Sequence, residues 1–151
     1  MYSSGLPVAL NKARGFTLVE LVVVITILGI LAAFALPRFA SLDRDARRAS
    51  TESLAGSVRS AAALTHGVWM VRNSPATAVV EGRTIRFTNG YPNRATIDDA
   101  LNFNTTDFTY NANSGVFTRV GARTPAQCTV TYTAPAAVDA APTITTVTTG
   151  C

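Results

Sequence analysis

The sequence is short of the side chains on which most enzymes and metal proteins depend. Its 151 residues contain one histidine, His66, and two cysteines, Cys128 and Cys151. That set cannot make a structural zinc site, which needs four ligands. No Ser-His-Asp spacing can be nominated and no glycine-rich loop is placed to cradle phosphate. The chain is therefore not expected to be an enzyme, and neither a cofactor nor a metal is expected. Asp98, Asp99 and Asp107 are too loosely grouped for a calcium site, and the adjacent pair fits the first turn of a helix better. Lysine is scarcer still: of 13 basic residues only Lys12 is a lysine, and it stands with Arg14 before a long stretch that lacks any basic residue. Arg83, Arg86, Arg94, Arg119 and Arg123, with Tyr91, are scattered and form no basic run, so nucleic acid is not an expected partner. The 48% hydrophobic content excludes a disordered chain.

What the chain does have is "GFTLVELVVVITILGILAAFAL", Gly15 to Leu36, apolar nearly throughout and carrying one carboxylate, Glu20. At about 1.5 Å per residue it is long enough to cross a hydrocarbon core of about 30 Å. An ionised carboxylate within such a segment costs about 2.5–3.5 kcal/mol, so it calls for a partner or a role. Two other readings compete with a membrane helix. One takes Lys12 and Arg14 as the start of a signal peptide cleaved at "AFA", Ala33 to Ala35, which releases a soluble secreted protein; its apolar region is too long and contains Glu20. The other, a core helix of a soluble protein, is weaker.

The residues "RGFTLVELVVVITILGILAAFALPRF" resemble the N-terminus of a type IV pilin: a basic leader, Gly15 as its last residue, Phe16 as the new N-terminus, and Glu20 as the fifth residue of the mature chain. Gly29 and Pro37 also fall where such pilins place them. "PRFASLDRDARRAS" further resembles the mannose-sensitive haemagglutinin branch of the family. The resemblance implies that a prepilin peptidase cuts after Gly15 and methylates the Phe16 amine. It also implies that Glu20 pairs with the Phe16 amine of a neighbouring subunit during assembly. The partners implied are identical pilin subunits in a helical homopolymer, the peptidase, a pilus assembly platform and motor, and the inner membrane before assembly. The family's fold is a lollipop, and its tasks include adhesion, motility and biofilm formation. A pseudopilin of a type II secretion system is the alternative. Snorkelling of Glu20 to the nearby interface is the plainer account of that carboxylate.

Arginines flank both ends of the apolar run, so the positive-inside rule is ambiguous. Cysteine placement is the better guide. Cys128 and Cys151, both far from the apolar run, read as a disulfide that stabilises a thin core by roughly 3 kcal/mol and forms in an oxidising compartment. This places the C-terminal part in the periplasm, on a single-pass inner-membrane protein that later becomes part of an extracellular pilus. Loss of Lys12 and Arg14 with the leader lowers the formal charge from +4 to about +2.

Pro37 cannot donate to the carbonyl of Ala33, which predicts a kink there, with Gly29 a second weak point. Beyond it Phe39, Leu42, Ala46, Ala49, Leu54, Val58, Ala61 and Leu64 recur at helical spacing, with charges between them and Asp43 four residues before Arg47. Gly67 and Asn73-Ser74-Pro75 are stop signals. Then come strand and turn residues: "TAVVEGRTIRFTNG" as a hairpin or connecting arm, "TIDDALN" as a helical turn begun by Thr96, a hairpin about Asn113 to Gly115, "CTVTYT", and "TITTVTT". The fold class expected is α+β, a long N-terminal helix packed on a small antiparallel sheet of three or four strands. The expected division is a leader at 1–15, a membrane and filament-core helix half at 16–37, an amphipathic half at 38–73, and a β-rich head at 74–151 pinned by the disulfide.

Overall fold

The computed structural model describes residues 15–138 and 140–151; Lys12, Arg14 and the rest of the expected leader before Gly15 lie outside them. The fold is α+β. One helix, α1, runs from Leu18 to Val71 without interruption and includes Pro37. Residues 15–40 and 41–151 are two units, described here in turn.

In the first unit the side chains that make the run apolar are turned outward. Leu21, Val24, Ile27 and Leu31 expose 59%, 47%, 52% and 60% of their surface respectively. A helix that is hydrophobic all round must be buried by something other than itself.

The second unit buries part of the stripe of α1 that the spacing suggested, Leu54, Val58 and Ala61, but not the rest of it. Thr51, Leu54, Ala55, Val58, Ala61, Ala62 and Thr65 are buried, whereas Leu42, Ala46, Ala49 and Leu64 are exposed. At 100° per residue the exposed four lie about 120° or more from Val58 around the axis. Phe39, in the first unit, is also exposed. Two threonines can line the buried stripe because their hydroxyls donate back into the helix, Thr51 to the Arg47 carbonyl at 2.9 Å and Thr65 to that of Ala61 at 2.7 Å. The expected Asp43–Arg47 ion pair is present at 2.7 Å. The helix stops where Asn73 takes a left-handed φ of 61°. The Ser74 N–H bonds the Trp69 carbonyl and the Asn73 N–H that of Met70, the paired closure that satisfies the last turn. Pro75 follows, and Gly67 does not end the helix.

The expected sheet of three or four antiparallel strands is present with four, and the expected hairpin or connecting arm before it belongs to a second antiparallel sheet of three. β1 (Thr77–Val80), β2 (Arg83–Thr88) and β3 (Tyr91–Pro92) form one, and β4 (Phe108–Asn111), β5 (Val116–Arg119), β6 (Thr129–Thr133) and β7 (Thr143–Val147) form the other, each in chain order. Both turns of the first sheet have two central residues with positive φ, Glu81-Gly82 and Asn89-Gly90, the geometry that suits tight hairpins. The "TIDDALN" turn is a short 3-10 helix, Asp98–Ala100, preceded by Ile97 rather than capped by the Thr96 side chain. Thr96 is buried and instead hydrogen-bonds Asn93 and the Arg86 backbone.

One core joins these parts. Leu54, Ala55, Val58 and Ala62 of α1 cluster with Ile97, Phe108, Phe117, Val130 and Tyr132. The Tyr132 hydroxyl donates to the Pro92 carbonyl at 2.6 Å and so ties β6 to β3. Cys128 and Cys151 are bonded to each other across 23 residues, and both are buried.

Candidate functional site

The residues of the Gly15–Glu20 junction are all exposed. A Cβ added at Gly15 meets nothing within 4 Å, and the same holds at Gly29. Phe16 exposes 85% of its surface. Thr17 stands immediately before α1, and Glu20 is the third helical residue.

Thr17 and Glu20 satisfy each other. The Thr17 N–H and hydroxyl both donate to Glu20 Oε2, at 2.8 and 2.9 Å, and the Glu20 N–H donates to the Thr17 hydroxyl at 3.2 Å. This is a reciprocal capping box, which supplies partners to backbone donors that the first helical turn leaves unpaired. Sequence reasoning missed it, although the signature T-x-x-E ahead of an apolar run was there to find. The remaining polar side chain of the apolar run, Thr26, donates to the Val22 carbonyl at 2.7 Å. Every polar side chain between Gly15 and Pro37 is thus hydrogen-bonded within its own helix. Both bonds at the Glu20 carboxylate go to Oε2, which leaves Oε1 open to a further donor.

The structure brings Glu20 to Thr17; Pro37 lies inside α1, and Cys128 and Cys151 meet elsewhere in the chain. Among the described residues no group of three His, Cys, Asp or Glu side chains could hold a metal. Asp99 pairs with Arg83 at 3.0 Å and Asp107 with Arg119 at 2.7 Å. Asp98 has a buried carboxylate oxygen without a hydrogen-bond partner, and burial, with the neighbouring Asp99 charge, raises its pKa above the ordinary value.

Residues 10–36 match the family described as the prokaryotic N-terminal methylation motif. The chain is 51% identical over 53 residues to the type IV narrow pilus major component PilA5 of Thermus thermophilus, covering 35% of this chain and 46% of that one. It is 42% identical over 66 residues to the type IV major pilin protein PilE of Neisseria gonorrhoeae, covering 42% and 40%. Over 77 residues it is 38% identical to the fimbrial protein EcpC of Eikenella corrodens, covering 48% and 50%. The matched part spans half or less of the length of these relatives. No solved structure matches.

Proposed function

We propose, on the premise that the N-terminal third of this chain is that of a type IV pilin, that the protein is a structural subunit of a type IV pilus and not an enzyme. The observation that carries this reading is the methylation motif at residues 10–36, joined without a break to an apolar helix whose first turn contains Glu20. Prepilin peptidase cuts after Gly15 and methylates Phe16. The segment 16–37 holds the subunit in the inner membrane, with 38–73 as the amphipathic half and 74–151 as a periplasmic head. An assembly platform and motor then stack the subunit with identical copies into an extracellular filament for adhesion, motility or biofilm formation. A buried disulfide supports an oxidising compartment for the head. The relatives bear pilin and fimbrial names, which does not favour the pseudopilin alternative.

The capping box gives Glu20 a physical history in this scheme. Before assembly its carboxylate is partly satisfied by Thr17, which lowers the cost of holding it near the membrane. Cleavage creates a cation at Phe16, and methylation keeps that charge. In the filament, the Phe16 amine of a neighbour donates to the open Oε1 of Glu20 while Oε2 keeps its Thr17 bonds. Removing one member of such a pair strands the other, at a cost of about 3–5 kcal/mol.

Mass spectrometry of the mature protein tests the processing step, with N-methylated Phe16 the expected N-terminus. Gly15→Ala is expected to mature, and a bulky residue at that position is expected to block maturation. A mature chain beginning at Leu36 overturns the proposal in favour of a secreted protein. For the pairing, Glu20→Gln subunits co-expressed with wild type should be processed, remain in the membrane, and enter filaments far below their abundance. Filaments of normal number built from Glu20→Gln alone would refute it.

A further inference from the structure

We propose that the cleft where the two sheets meet is a binding site for a carboxylated sugar. It has a volume of about 600 Å³, and its polar wall comes from Thr88 at the end of β2, Asn93 and Arg94 after β3, Asn113 in the β4–β5 turn, and Thr133 at the end of β6. Ala95, Ala112, Ala134 and Pro135 complete it. These short side chains leave room for a ring and offer it apolar contact.

The lining is selective in what it contains. Arg94 is its one charged residue, and no carboxylate lines it. Elsewhere in this unit Arg83 and Arg119 are neutralised by Asp99 and Asp107; among the described residues Arg94 forms no ion pair, so the cleft keeps its positive charge. The Asn113 side-chain amide and the Thr88 and Thr133 hydroxyls likewise have no intramolecular partner among the described residues. A planar guanidinium holds a carboxylate through two parallel bonds. Amides and hydroxyls spaced around a ring-sized cleft suit vicinal sugar hydroxyls, each of which donates and accepts. A small inorganic anion does not fill a cleft of this volume, and a neutral sugar leaves the charge of Arg94 without a counter-ion. The ligand class that meets both conditions is a hexuronic acid or a similar carboxylated pyranose.

The walls are fixed before any ligand arrives. Asn89 Nδ2 donates to the Pro135 carbonyl at 2.8 Å, joining the β2–β3 turn to the segment after β6. The Tyr110 hydroxyl donates to the Arg94 carbonyl, joining that loop to β4. Asn93 Oδ1 accepts from the Ala95 N–H at 3.1 Å and the Thr96 hydroxyl at 2.9 Å. A cleft braced in this way loses little conformational entropy on binding.

The test is an amide chemical-shift titration of the isotope-labelled full chain in micelles of a detergent without a sugar headgroup, using D-glucuronate, glucose and acetate as separate probes. Glucuronate is expected to shift the amides of Thr88, Arg94, Asn113 and Thr133 with a dissociation constant of about 1 mM or tighter. Arg94→Gln should weaken it about tenfold, Asn113→Ala should weaken it without disturbing the rest of the spectrum, and Arg123→Gln, outside the cleft, should leave it unchanged. Absence of localised shifts overturns the proposal. So does equal binding of acetate, which makes the cleft a plain anion site, or equal binding of glucose, which removes the role of Arg94.

Discussion

The hydroxyl of Thr51 lies 3.5 Å from the sulfur of Cys128, and its distance to the sulfur of Cys151 is 3.7 Å. All three residues are buried. The disulfide therefore rests on the first buried turn of α1.

Reduction of this bond, or Cys128→Ser, should lower the stability of the folded unit by about 3 kcal/mol, the chain-entropy value for a loop of this size. A thermal melt with and without reductant should show the midpoint falling by about 10 °C or more. Thr51→Val should cost only about 1 kcal/mol, through loss of the bond to the Arg47 carbonyl. An unchanged midpoint after verified reduction would contradict a stabilising role for the bond.

Glu20→Gln and Glu20→Ala should differ in a way that separates capping from charge. Glutamine at the third helical position still completes a capping box, so amide exchange at Leu18–Glu20 in micelles should stay slow. Glu20→Ala and Thr17→Ala should both speed it, consistent with a cap worth about 1 kcal/mol. If the glutamine variant frays as readily as alanine, an assembly defect in it cannot be assigned to the charge alone.

Two tyrosines predict alkaline sensitivity. Burial holds the phenols of Tyr132 and Tyr110 well above the ordinary tyrosine value, with smaller contributions from nearby groups. A folded-state pKa above the unfolded one gives a contribution that is intact below about pH 10 and is lost as the pH rises toward the folded value. Urea melts should therefore show stability declining above about pH 10. Tyr132→Phe should flatten part of that decline, while lowering stability at pH 7 by about 1–3 kcal/mol because the Pro92 carbonyl loses its donor.

Asp98 follows the same sign of linkage at lower pH, since its raised pKa marks a charge that the fold already disfavours at neutral pH. Asp98→Asn should raise the melting temperature at pH 7. Both states of the wild type bind the proton in acid, so the gain should vanish below about pH 4. A gain that persists in acid would point to packing instead.

The apolar run, its carboxylate, the end of α1 at Asn73 and the cysteine pair were all legible in the sequence, because each is written in local residues or in a count of two. Strand positions around Asn113–Gly115 and in "CTVTYT" were legible for the same reason. The buried phase of α1 was legible only in part, at Leu54, Val58 and Ala61. Its stripe mixes alanine and threonine, and alanine is equally at home on the exposed side, so Ala46 and Ala49 looked no different from Ala55 and Ala62. Leu64 is exposed although a large apolar residue at helical spacing reads as core. The Tyr132–Pro92 tie and the Thr51–disulfide contact join residues 40 and 77 positions apart, and no local pattern carries such pairings. The capping box was written in plain view at Thr17 and Glu20, as T-x-x-E ahead of an apolar run.

In the second sheet each strand pairs only with its neighbours in the chain, β4 with β5, β5 with β6, and β6 with β7. No strand waits for a partner made later, so the sheet can be laid down in the order of synthesis, with short loops to close at each step. The cross-link behaves differently, because it joins a residue just before β6 to one beyond β7. It can close in its native setting only when the last strand is in register, and it thereby turns a reversible zipper into a latched one.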